Sequence, residues 1–308
     1  MSKSAANASH LESDRSETRL SYAATATGRG GASALEFLGR LAGELSRGQV
    51  ELPCFPNIVV KVRDALLNPR TTPEQTVKFI GSEPRLAARL IQTANSAALN
   101  PTGKRVTELR TAITRLGQQL IQSAAVAYAV QQMKDAPKLK SISEPMRALW
   151  QESIAVAAIS QVVARRTKVL PDEAFLTGLL HGIGRLYILV NSVDSPGVLA
   201  SADAADLIAG WHPSIGKAVA ENWDLGETIA EAINDQCDYE RGPSKIPDLT
   251  DVMIVSLHLS QFIGQPGAPI TDTDQIRSFK AMGLTELDCR QLVTHAEYSI
   301  GSLQEVLG

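Results

Sequence analysis

Apolar positions along this chain recur with a helical period. Ala87, Leu90, Ile91 and Ala94 fall on one face of a helix, as do Ala155, Ala158, Ile159 and Val162, and later Val252, Val255, Leu259 and Phe262. No comparable run alternates apolar and polar residues as a half-buried strand would. Punctuation between the periodic stretches is clear in the first half. In TTPEQTVKFI, Thr72 can cap, Pro73 takes the first helical position, where a missing N–H costs nothing, and Gln75 completes a capping box. This predicts a helix over about 73–81. Pro84 opens the next one, and Asn100-Pro101 with Gly103 closes it, so that element is expected to end near Leu99. Turns at Asp135–Pro137, Ser195–Gly197 and Arg241–Pro247 divide a first helical lobe, about 33–140, from a second, about 141–264, that starts near Ile142. C-terminal helices fill 265–308. The expected fold class is all-α, with many short helices in two packed lobes and no internal repeat. Residues 1–32 are rich in Ser, Ala, Thr and Gly and poor in large apolar side chains, so too little burial is on offer to offset the entropy of ordering. They are expected to form a disordered tail.

Composition narrows the picture. At 308 residues and 44% apolar content the chain can bury a sizeable core. A formal net charge of −3 exerts no general pull on nucleic acid or anionic membrane, so either partner would need a local basic patch. Cys54, Cys237 and Cys289 lie far apart without CxxC spacing, which argues against a zinc ribbon or a disulfide framework and favours the reducing cytoplasm. No run approaches the roughly 18 apolar residues of a membrane span, and the N-terminus has no apolar signal core. Neither export nor a membrane partner is expected.

Several stretches combine into a resemblance. ELPCFPNIVVKVRDALLNPRTTPEQTVKFIGSEPRLAARLIQTANSAAL has a Leu-Pro-x-x-Pro start, an acidic residue and Pro before a helix, and an Ala-Asn-Ser ending. VTELRTAITRLGQQLIQSAAVAYAV, AFLTGLLHGIGRLYI, WHPSIGKAVAENWDLGETIAEAI and DVMIVSLHLSQFI follow in order. Together, over about residues 51–264, these resemble an HDOD domain, a bacterial relative of the His-Asp phosphohydrolases. The resemblance implies an all-α HDOD fold and, for the site, a comparison with the divalent-metal centre of the catalytic relatives, which use an early His, a His-Asp pair, later His residues and a distant Asp. The early position here resembles Glu152. The pair is His181-Gly182, and glycine has no side chain to hold an ion. His212 matches the following histidine, the next pair falls at about Asp235-Gln236, and the last aspartate falls near His258.

His181, His212, Glu152, Asp235 and His258 are competent ligand types for zinc, nickel or iron if they converge. The alternative, favoured here, is that they are polar remnants of a once-catalytic cleft, with no metal and no cofactor, because ligands lost piecemeal rarely leave a working geometry. Arg185, in HGIGR, could pair with a phosphate or with a neighbouring carboxylate. A second candidate surface is the first lobe, where Arg85 and Arg89 lie one helical turn apart and Lys104, Arg105, Arg110 and Arg115 follow. Glu83 and Glu108 interrupt that patch, and no nucleic-acid-binding signature with interleaved aromatics is present. The leading function is thus a non-catalytic signalling module that receives a protein partner, since families of this kind accompany response regulators and cyclic-nucleotide signalling. The alternatives are a weak or altered metal-dependent phosphohydrolase, and a nucleotide or nucleic-acid binder acting through the basic lobe.

Overall fold

In a computed structural model, residues 29–48, 62, 71–96, 100, 103–134, 136–195, 197–200, 204–242 and 246–307 are described. The first half reads α1 (Arg29–Ser46), α2 (Pro73–Gly81), α3 (Pro84–Ala94), α4 (Leu109–Lys134) and a short 3-10 turn (Pro137–Ile142). The second half reads α5 (Ser143–Ala164), α6 (Pro171–Leu180), α7 (Ile183–Ser192), α8 (Ala204–Asn222), α9 (Glu227–Asn234), α10 (Leu249–Ser260), α11 (Arg277–Met282) and α12 (Glu286–Leu307). No strand occurs among the described residues, and the expected all-α class holds.

The capping logic at α2 is realised in full. Gln75 N–H donates to Thr72 Oγ1 at 3.2 Å, and Thr72 N–H donates to Gln75 Oε1 at 2.8 Å. α3 departs from expectation, ending at Ala94 rather than near Leu99. The cause is Asn95, whose side chain donates to Val106 O and accepts from Val106 N, both at 2.7 Å, and so turns the chain across to that segment. Inside α4, Gly117 has φ 72° and ψ 175° and breaks the helix into two pieces. The Leu-Pro-x-x-Pro start lies outside the described residues, as do residues 1–28 of the expected tail. α1 begins at Arg29, within that expected segment, because Ala34, Phe37, Leu38, Leu41 and Leu45 give it an apolar face that is buried against α8.

α5 is the central helix. It packs against α6, α10 and α12, while α3 lies on α4, and α8 holds α7, α9 and α1. The apolar residues from Ala34 to Leu303 form one continuous core, so the two expected lobes share it. One sequence expectation needs correction here. The stretch Pro171–Ser192, running through α6 and α7, is long and apolar enough by composition to cross a membrane. It is apolar because it is the heart of the fold, with 83% of the window buried.

Candidate functional site

The middle of α5, the turn between α6 and α7, and the neighbouring α8 and α9 bring several of the sequence candidates into one cleft. α6 ends at Leu180, and His181-Gly182 form the two-residue turn that starts α7. His181 is fully buried. Its Nδ1 lies 2.8 Å from Gly178 O, an acceptor only, so Nδ1 carries a proton. Nε2 faces Glu152 Oε1 at 3.5 Å and has no hydrogen-bond partner. Arg185, on the first turn of α7, reaches back with Nη1 at 3.1 Å from both Glu152 oxygens. The Glu152 carboxyl is held down at about 2, with the His181 contact the largest cause and the Arg185 charge also favouring ionisation against the opposing effect of burial. At 3.5 Å the histidine contact is loose, and the two short bonds from Arg185 are the firmer anchor.

His212, on α8, is buried, and its Nδ1 lacks a partner. Burial is the largest cause that lowers its pKa to about 3, with Arg185 and His181 adding to it against the opposing charge of Glu152, so the ring is neutral at physiological pH. At the pair expected near Asp235-Gln236, it is Gln236 that enters the cleft floor. Its Nε2 donates to His181 O at 3.1 Å and to Ile233 O at 2.7 Å, and its Oε1 is left buried and unpartnered. Asp235 accepts from Asn234 Nδ2 at 2.7 Å and acts on the Lys217 and Arg241 charges. His258 lies apart from this group. Its Nε2 is 2.8 Å from Thr271 O, and its ring packs between Phe262 and Phe279. A helical period placed His258 on its element but could not show that the neighbouring surface was the 262–279 segment.

Gly182 is lined by Leu149. A Cβ added there would come within 2.8 Å of Leu149 Cδ1. The pocket beside it is apolar, formed by Val126, Met146, Leu149, Trp150, Ile183 and Leu186. Gly184 serves a different end. Its Cβ would overlap the carbonyl oxygen of His212 and lie 2.8 Å from Gly216 N, so the bare backbone at Gly184 is what lets α7 and α8 meet. Sequence reading missed this reason for the Gly-rich HGIG turn, along with Leu149, because neither carries a chemical signature.

The basic first lobe is dispersed. Arg110 Nη1 pairs with Glu74 at 2.8 Å, and Arg115 is spent on Asn100 Oδ1 at 2.9 Å and on backbone carbonyls of Lys104 and Ala94. Arg85, Lys104 and Arg105 are exposed. Arg89 is half-buried, its pKa lowered by desolvation, with Nη1 buried and unpartnered. A groove of about 480 Å³ opens elsewhere, between α1 and α8, lined by Ala42, Leu45, Ser214, Ile215 and Ala218 among others.

The HDOD domain family matches residues 52–239. The chain belongs to the HDOD family. HDOD-like solved structures agree with the fold. A Shewanella amazonensis SB2B protein named as a candidate metal-dependent phosphohydrolase aligns at 22% identity with a TM-score of 0.63, covering 86% of this chain and 99% of that one. An HDOD domain protein of unknown function from Geobacter sulfurreducens aligns at 23% identity and TM-score 0.57, covering 89% and 98%. A candidate signal transduction protein from Marinobacter aquaeolei VT8 aligns at 21% identity and TM-score 0.57, covering 90% of this chain and 66% of that one. An uncharacterized Treponema pallidum (strain Nichols) protein is 20% identical over 225 residues, and the match takes in 68% of this chain but 42% of that relative's length. At these identities the structures speak to the fold.

The sequence's resemblance to the His-Asp phosphohydrolases raises the question of a divalent metal, and the residues present do not fit one. Among the described residues, no three His, Cys, Asp or Glu side chains converge as ligands. Both oxygens of the one carboxylate at His181 are already bonded to a guanidinium.

Proposed function

We propose that this HDOD chain is a non-catalytic regulatory module that acts by receiving a signalling protein partner, with its phosphohydrolase-like cleft retained as a structural feature. The observation that carries this reading is Gly182. The position beside His181 offers no carboxylate, and Leu149 stands 2.8 Å from where the first atom of a side chain would go. Water activation by a divalent pair needs bridging carboxylates, an open coordination position and supporting hydrogen bonds together. A chain that lacks the first and has filled its place with an aliphatic group supplies none of that chemistry. The fold shared with the Marinobacter signal transduction candidate supports a regulatory role.

The test has two arms. Protein purified without a histidine tag is expected to carry far less than one metal per chain, and to turn over neither phosphodiester, phosphomonoester nor cyclic-dinucleotide substrates with Mn²⁺, Mg²⁺ or Ni²⁺. Metal-dependent turnover that His181→Ala abolishes would overturn the reading. In the second arm, cross-linking in the source organism is expected to capture a signalling protein on the folded chain, and the site of cross-linking would locate the receiving surface.

A further inference from the structure

The geometry around Glu152 resembles one half of a metal centre whose ion has been exchanged for an amino acid. A zinc-like ion holds nitrogen and oxygen donors at about 2.0–2.2 Å, which puts neighbouring tetrahedral donors roughly 3.4 Å apart. His181 Nε2 and Glu152 Oε1 lie 3.5 Å apart. His181 also has the support a metal-binding imidazole usually has, its other ring nitrogen donating to a backbone carbonyl, Gly178 O, at 2.8 Å. Beside the want of a third protein ligand among the described residues, what stands against a metal is Arg185, whose Nη1 sits 3.1 Å from both oxygens of the same carboxylate. Arg185 is one-third exposed and held on a helix of the core, so it is a fixed cation at the rim of the cleft.

We propose that Arg185 is the resident cation of this cleft, a positioning residue that takes the charge a divalent ion would supply between Glu152 and His181 and thereby excludes that ion. This rests on the non-catalytic reading above. It further implies that the metal half-site is latent: neutralising Arg185 frees the carboxylate oxygens, leaves His181 Nε2 facing them at 3.5 Å, and unmasks affinity for a borderline-soft ion that favours imidazole.

Ni²⁺ titrated into the full-length protein, followed by calorimetry and by circular dichroism for fold integrity, tests this. Wild type is expected to show no saturable site at millimolar Ni²⁺. Arg185→Gln and Arg185→Met are both expected to bind at least on the order of 10-fold more tightly than wild type, and His181→Ala in either background is expected to remove the gain. Arg185→Lys, which keeps a positive charge, is expected to stay close to wild type. The methionine variant preserves the aliphatic stem, so the test stands if the glutamine variant melts. Folded neutral variants that bind no better than wild type overturn the proposal while leaving the non-catalytic reading intact. A wild type that already binds stoichiometrically overturns both.

Discussion

On His212, burial and the Arg185 charge together outweigh the opposing charge of Glu152. The ring is 3% exposed, and its pKa falls from the usual 6.5 to about 3. Between those two values the unfolded chain takes up a proton that the folded chain refuses. Stability therefore rises with pH through this window, and is lost as pH falls from about 6.5 toward 3. The expected slope from this one residue is up to about 1.4 kcal/mol per pH unit. Urea unfolding of wild type and His212→Gln at pH 5 and pH 6.5 checks it, with the variant expected to show the shallower dependence. Equal slopes would mean that His212 is hydrated in the folded state. Gly182→Asp is a second test at this scale. It rebuilds the His-Asp pair in sequence, but the new side chain must displace Leu149 and adds a carboxyl near Glu152. We expect a loss of about 1–3 kcal/mol and no Mn²⁺-dependent turnover, measured by denaturant unfolding and the substrate panel above. The candidate site was legible in the sequence to the extent that its residues carry chemistry. His181, Glu152, Arg185 and His212 were visible as types, and the structure places them within electrostatic reach of one another. Their pairing was not visible, because the bond from Arg185 to Glu152 spans 33 positions and depends on how α7 leans on α5.

Elements were more legible than their junctions. The period-3.6 stripe on α3 predicted burial at Leu90, and Leu90 is fully buried together with Leu86 and Ala94. Leu90→Ala is expected to cost about 2–5 kcal/mol, because it removes three heavy atoms from a packed layer between α3 and α4 and leaves a cavity. Chemical denaturation gives the value directly, and a loss under about half a kcal/mol would place Leu90 at a yielding surface. Ala87 and Ile91, assigned to the same stripe, are at its margin and partly buried. Interruptions were less legible. The break at Gly117 carried no signal, since one residue at positive φ disturbs the backbone without disturbing the apolar spacing on either side. The Asn100-Pro101 stop signal placed the end of α3 beyond Ala94, since the feature that ends that helix is a side-chain amide bonding to a residue 11 positions away. Close helix approach was equally hidden. Gly178 lies against Ala157 and Gly184 against His212 and Gly216, so two helix pairs, α5 with α6 and α7 with α8, meet through bare backbone. In sequence those glycines read as helix-weakening residues.

Over the whole molecule, the single core makes distant elements depend on one another, and α1 is the clearest case. It is joined to the rest chiefly through α8, the helix that also carries His212. Phe37, Leu38, Leu41 and Leu45 are each 5% exposed or less. Each such side chain adds about 1.5–3 kcal/mol of burial, partly offset by the entropy of ordering an 18-residue helix. Residues 1–28 contain few large apolar side chains, so their removal is expected to leave the thermal midpoint nearly unchanged. Removal of 1–46 takes away the helix and strips the outer face of α8. We expect that deletion to lower the midpoint by about 5 °C or more. We further expect the His212-dependent pH slope to shrink, because a loosened α8 lets water reach the ring and brings its pKa back toward 6.5. Differential scanning calorimetry of the two deletions, each repeated at pH 5 and pH 6.5, separates the effects. A shorter chain with an unchanged midpoint and slope would show that α8 keeps its place without α1. A lowered midpoint with the slope intact would show that α1 adds stability without shaping the cleft.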